Sequence, residues 1–195
     1  MIMMPPAIAA ALKYVVSTLM VLLMTTTAVN ADMRYKVYLH SNTEHRTVIG
    51  ELVLSALGKN QSYQFTLEDT AFTDHFLSMR PFKCLSEQGN MLCYLPYPYN
   101  NRRSISRDDL TDLEYDLLFI ARTKKEYGID PWNGRYFQLR WQGEVIIGEL
   151  AEVDLNILAS PPEEGDIYPI VDADLTLVEP GVGWLPYLSI EPFSH

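Results

Sequence analysis

Residues 32–195 predict an antiparallel, mainly β domain, either a barrel or a sandwich. Three observations carry that expectation. Short stretches alternate apolar and polar residues, glycine and proline punctuate them at regular spacing, and the clearest two stretches meet at a two-residue connection, Gln142-Gly143. One short helical segment, around 107–117, interrupts the pattern.

The first 31 residues read as an export signal. A single basic residue, Lys13, precedes an apolar run over 14–24, and small residues lead to Val29-Asn30-Ala31, a pattern suited to signal-peptidase cleavage near Ala31. That run is too short to span a bilayer comfortably, so a cleaved signal is expected rather than an anchor, with no stable membrane insertion afterwards. What remains, 32–195, suits a single domain in the periplasm or outside the cell.

The elements follow in order. Residues 35–40 (YKVYLH), 47–54 (TVIGELVL) and 62–67 (SYQFTL) read as strands separated by polar loops. Residues 76–85 and 91–95 form two arms around Gln88-Gly89. The pairing that this turn imposes sets Ser86 against Met91, Leu85 against Leu92 and Cys84 against Cys93. Directly opposed cysteines lie within disulfide reach, and an oxidising compartment makes Cys84 and Cys93 a structural staple. A zinc site would need two further nearby ligands, and a redox pair would more often be CxxC.

Ser106 followed by Asp109, then Leu110, Leu113 and Leu117, predicts a helical turn. Its acids, Asp108, Asp109, Asp112, Glu114 and Asp116, suit a helix start and a solvated face. The stretch 117–121 is equally compatible with a strand. Residues 135–141 and 144–150 make the hairpin already noted, 158–166 a proline-rich surface loop, and 184–190 a closing strand. A modest internal recurrence links Ile49-Gly-Glu-Leu52 to Ile147-Gly-Glu-Leu150, and Tyr94-Leu-Pro-Tyr97 to Trp184-Leu-Pro-Tyr187. Its shared glycine fits a bulge or a close backbone approach.

Function is far less legible. The chain carries 25 acidic and 15 basic residues, a net charge of −10, which argues against nucleic acid and anionic membrane surfaces as partners. No GxSxG, P-loop, HExxH or GxGxxG occurs, and nothing in the pattern calls for a cofactor or a metal. His40 and His45 with Glu44 lack a fourth ligand. The acids around Asp172 and Asp174 match no EF-hand spacing and read as a solvated face.

Trp132 is the most distinctive residue outside the core. Asp130-Pro131 starts a turn, Asn133-Gly134 ends it, and Arg135 follows. Either the ring folds back to plug one end of the domain, which is the expectation, or it offers a stacking platform with Asp130, Asn133 and Arg135 around it. Tyr97 and Tyr99 share a face in a proline-rich run, and are expected to pack inward unless that face binds a partner. These residues support a non-enzymatic binding or envelope-accessory domain that takes an envelope protein or a small ligand. The alternatives are a hydrolase of envelope polymers, built on His75 with a carboxylate such as Asp130 or Asp154, and a structural module of an envelope assembly.

Overall fold

The computed structural model describes residues 32–42, 45–55, 58–76, 82–126, 128 and 130–193. The expected export signal lies outside the described residues, as does Glu44. The chain divides into two units, Met1–Asn30 and Ala31–His195, and every described residue belongs to the second.

That second unit is mainly antiparallel β. Its strands are β1 (Met33–His40), β2 (Arg46–Leu54), β3 (Gln61–Leu67), β4 (Asp74–Phe76), β5 (Phe82–Glu87), β6 (Asn90–Tyr94), β7 (Ser104–Ile105), β8 (Phe119–Thr123), β9 (Gly134–Gln142), β10 (Val145–Val153), β11 (Thr176–Leu177) and β12 (Tyr187–Pro192). They form one sheet in the order β4-β5-β6-β8-β9-β10-β12-β1-β2-β3-β7, with β11 beside β10. The sheet is not closed into a barrel. It does curl, because Phe65 on β3 meets Tyr94 on β6, their ring centroids 6.3 Å apart, although the two strands are far apart along the sheet.

The hairpin register is the one its turn dictates. Gln88 and Gly89 both take positive φ, and Cys84 pairs with Cys93, Leu85 with Leu92 and Ser86 with Met91. Cys84 and Cys93 are disulfide-bonded. Closing so short a loop contributes roughly 2–3 kcal/mol. The expected arm starting at Phe76 is instead a separate strand, β4, laid against β5. In the β9–β10 hairpin the turn residues are Gly143 and Glu144, one position later than expected, with Gln142 pairing to Val145.

The two recurring glycines serve different ends. Val37 pairs with Gly50 and Tyr38 with Val48, so Ile49 is the extra residue of a β-bulge. The bulge resets the burial phase of β2, from Ile49 to Leu52 and Leu54. Gly148 sits in regular pairing, and a Cβ there would lie 2.8 Å from Leu139 Cδ2. Tyr94-Leu-Pro-Tyr97 leaves β6, whereas Trp184-Leu-Pro-Tyr187 leads into β12, so the recurrence does not extend to equivalent positions.

Side chains fill two main cores. Val37, Leu39, Leu52, Phe119, Phe137, Ile146, Leu188 and Ile190 belong to the larger. Tyr97, Tyr115, Leu118, Ile120, Tyr136, Val153, Leu155 and Leu158 form the smaller. Phe119 and Ile120 are neighbours on β8, and Tyr136 and Phe137 on β9, so alternate residues of these strands feed opposite cores. This explains why 117–121 reads as an uninterrupted apolar run.

The helix is shorter than expected: α1 covers only Thr111–Tyr115. Ser106 Oγ accepts from the Asp108 and Asp109 amides, capping a turn upstream of it. Three of the acids expected on a solvated face are turned inward. Asp112 is fully buried, and its carboxylate accepts from Arg102 Nη2 at 2.8 Å and the Ser104 amide at 2.9 Å. Asp116 accepts from the Tyr63 hydroxyl at 2.9 Å and lies 3.5 Å from Arg103. Glu114 accepts from the Leu139 amide at 2.6 Å and from the Tyr136 hydroxyl. Asp112 is held by the β7 region and Asp116 by β3, whereas Glu114 points inward because β8 and β9 pair through only two residue pairs, Phe119 with Arg135 and Ile120 with Gly134. Among the described residues, that edge of β9 has no strand partner beyond those pairs, and Glu114 accepts from its Leu139 amide.

Burial pushes the Glu114 carboxyl above its ordinary value near 4.5, against the opposing pull of its two hydrogen bonds. A raised pKa adds stability while the group is protonated, and that contribution is lost as pH rises through the folded-state value. Glu114→Gln removes the desolvation of a charge while keeping an acceptor. The variant is therefore expected to gain stability relative to wild type as pH rises from 4 to 7 in urea unfolding. Glu114→Ala, which orphans the Leu139 amide, should cost about 1–3 kcal/mol at neutral pH. Parallel pH profiles for wild type and Glu114→Gln would contradict this account.

Candidate functional site

A proline-rich run and a 3-10 turn frame the largest cavity described. After β6, the Leu95 amide makes one more ladder-like bond, to Leu118 O at 2.9 Å. Pro96 and Pro98 then carry the chain onward with no amide protons to donate. Facing this run, the turn Leu155–Leu158 follows β10, capped by Asp154, whose Oδ1 accepts from the Asn156 amide at 2.9 Å. Between them lies a groove of about 700 Å³, lined by Tyr94, Leu95, Pro96, Tyr97, Ile120, Leu155 and Leu158, with Pro131, Leu67 and Phe82 at its margins. Its polar lining is sparse. Lys83 is already paired with Asp69, and the Asn156 side-chain amide donates to Asp154 Oδ1 at 2.8 Å.

Tyr97 and Tyr99 pack inward, as expected. The Tyr97 hydroxyl donates to Ile167 O, and the Tyr99 hydroxyl to Leu158 O at 2.9 Å. The Tyr97 ring lies edge-on to Tyr115 at 4.8 Å, and burial pushes its hydroxyl up to about 12. Tyr97 thus lines the groove with carbon while its polar end is bonded elsewhere. Tyr115 accepts from the Ile170 amide at 2.6 Å and touches Tyr168, with ring centroids 4.7 Å apart. These tyrosines tie the 158–170 loop to the sheet.

Trp132 departs from expectation. It sits in the turn Pro131–Asn133, where Asp130 Oδ1 accepts from its amide at 3.0 Å. This cap turns the ring outward: Trp132 is 69% exposed and plugs nothing. Asp130 is a capping residue. Asn133 and Arg135 do not gather around Trp132; they line a different, smaller cavity, where Arg135 pairs with Glu152 at 3.0 Å. The apolar groove instead adjoins Trp132 through Pro131, and Ile157, also exposed, stands between the lining residues Asn156 and Leu158.

The structure does not assemble the histidine alternative around either aspartate. His75 is exposed on β4, in a shallow depression with Asp74, Met91, Arg122 and Lys124. Asp130 and Asp154 both serve as turn caps. A different histidine contact was missed at the level of sequence, because its partners lie 149 residues apart: His40 Nε2 is 2.7 Å from Ser189 Oγ. Ser189 donates to Glu191 Oε1 at 2.8 Å, so His40 must donate to the serine, the reverse of a base that activates a nucleophile. Burial holds the His40 imidazole below its ordinary value, which favours this neutral form. Among the described residues, no group of three or more His, Cys, Asp or Glu is placed to hold a metal ion. No helix there is long and apolar enough to cross a membrane.

No protein-family model matches the chain, and no curated protein or solved structure matches it either.

Close packing beneath the Trp132 turn sets up a contrast between neighbours. A Cβ on Gly134 would lie 2.4 Å from Val153 O and 2.5 Å from Leu155 Cγ. Gly134→Ala should therefore cost about 1–3 kcal/mol through overpacking. Trp132→Ala, at an exposed position, should stay within about 0.5 kcal/mol of wild type. Denaturant midpoints of the two variants check this, and a large loss at Trp132 would mean that its ring packs against the fold.

Proposed function

We propose that this is an exported, non-enzymatic binding domain that holds an apolar, acyl-chain-like small ligand in the groove between the 94–98 run and the Leu155–Leu158 turn. The observation that carries the reading is the groove itself, about 700 Å³ with walls of Leu, Ile, Pro and the carbon faces of Tyr94 and Tyr97. That volume falls inside the range of small-molecule sites, about 300–1,000 Å³. A polar ligand would leave its donors and acceptors unmatched there, whereas an acyl chain gains about 0.8 kcal/mol per buried CH₂. Exposed Trp132 and Ile157 beside the groove extend its apolar surface outward.

An acyl probe tests this directly. Dansylaminoundecanoate should bind the protein saturably, with rising fluorescence, and palmitate should displace it. Ala159→Trp, at an exposed position of the lining, should weaken binding at least tenfold without changing the melting temperature. Trp132→Ala should weaken it about threefold to tenfold. No saturable binding, or equal affinity in Ala159→Trp, would reject the groove as the site.

Export to the periplasm through residues 1–31 belongs to the same proposal. The Cys84–Cys93 disulfide supports it, since such bonds persist in oxidising compartments. The protein recovered from a periplasmic fraction should begin at Asp32, as read by N-terminal sequencing. Recovery from the cytoplasm with residues 1–31 intact would contradict it.

A further inference from the structure

A second cavity begins two residues along the chain from the first. Pro131 lines the apolar groove, whereas Asn133 and Arg135 line a cavity of about 320 Å³ that also holds Asn90, Arg122, Glu152 and Trp184. Leu92 and Leu150, both members of the larger core, lie at its floor, so it is an opening at one end of that core. Its character differs from that of the groove. An indole forms one wall, and forked polar side chains share the rest of the lining about equally with apolar ones such as Met91, Val178 and Val182.

The lining carries two arginines and two glutamates, so neither sign of charge is in excess. Arg135 and Glu152 hold each other at 3.0 Å across β9 and β10, and Arg122 donates to the Thr123 and Glu126 carbonyls. A ligand that fits must be neutral, must offer both donors and acceptors, and must have an apolar face for the indole and the leucine floor. Sugars meet all three requirements. Each hydroxyl donates and accepts, pairs of hydroxyls match the forks of Arg, Asn and Glu, and the C–H face of a pyranose lies flat on an aromatic ring. Trp184 is fixed in place for this, its Nε1 donating to Glu87 Oε2 at 3.1 Å, and it stays half-exposed.

We infer that this cavity, walled by Trp184 and ringed by Asn90, Arg122, Asn133, Arg135 and Glu152, is a binding site for a neutral saccharide of one or two rings. It is independent of the acyl groove, and either site can exist without the other.

Isothermal titration of the purified protein with N,N′-diacetylchitobiose, maltose and cellobiose tests it, with galacturonate and glucosamine as charged comparators. At least one neutral disaccharide should bind saturably and shift the tryptophan fluorescence. Trp184→Ala should weaken that binding at least tenfold. Because Trp184 also packs on the core, Asn133→Ala provides the second variant, with a similar loss expected at an unchanged melting temperature. Ala159→Trp, which fills the acyl groove, should leave sugar affinity as it was. The inference is overturned if no neutral disaccharide binds, if only a charged sugar binds, or if Asn133→Ala binds as tightly as wild type. Failure of the acyl probe alone leaves the sugar result decisive, since the two sites share no side chain.

Discussion

The fold depends on how it treats a strand pair that parts after two residues. β8 and β9 separate beyond Phe119–Arg135 and Ile120–Gly134, which, among the described residues, leaves residues 136–142 of β9 without a strand partner on one edge. An unpaired edge inside a protein needs other partners. The segment between β7 and β8 supplies them. Glu114 accepts from the Leu139 amide, the Trp141 indole donates to Ser106 O at 3.0 Å, and Arg107 lies over the Trp141 ring at 4.2 Å. The same segment reaches the opposite end of the sheet, where β7 pairs with β3 and Asp116 accepts from Tyr63. One short segment therefore bridges a gap that strand pairing leaves open, and it does so largely with carboxylates.

Splitting the sheet there also creates the space for two cores. Where β8 and β9 are covered on both faces they need apolar residues at successive positions, and Phe119, Ile120, Tyr136 and Phe137 supply them. Each core then ends at a cavity. The smaller core opens into the apolar groove through Ile120, Leu155 and Leu158, and the larger opens into the second cavity through Leu92 and Leu150. The Pro131–Asn133 turn contributes Pro131 to one opening and Asn133 to the other, so residues two apart in sequence line different cavities.

Much of this architecture was legible because local chemistry determined it. Gln88-Gly89 selects a two-residue turn, that turn selects a register, and the register opposes Cys84 to Cys93. The glycine of each IGEL copy was legible as a constraint, though not which constraint applied, since a bulge and a close approach ask the same thing of a side chain. What stayed hidden depended on distant partners. The acids at 112, 114 and 116 resemble a solvated helix start in sequence. Only the fold shows that Arg102 and Ser104 await Asp112, that Tyr136 and Leu139 await Glu114, and that Tyr63 awaits Asp116. Trp132 was misread for the converse reason: a large aromatic ring argues for burial, but the Asp130 cap fixes the backbone so that the ring points outward. Asn133 and Arg135 line a cavity beside Trp184 and not around Trp132, since adjacency in sequence is not adjacency in space.

The groove itself follows from two prolines. A strand continuing past Tyr94 would have paired with the chain beside it and closed the space. Leu95 makes the last such bond, to Leu118, and Pro96 and Pro98 cannot donate another. A wall without ladder bonds would drift unless something else fixed it. Tyr97 and Tyr99 do so with their hydroxyls, reaching Ile167 O and Leu158 O while their rings stay packed. Side-chain bonds, long and directed away from the sheet, thus replace backbone bonds, and the run is held at a distance from the Leu155–Leu158 turn instead of against it. That substitution converts a sheet edge into the wall of a cavity, and it accounts for tyrosine, and not phenylalanine, at both positions.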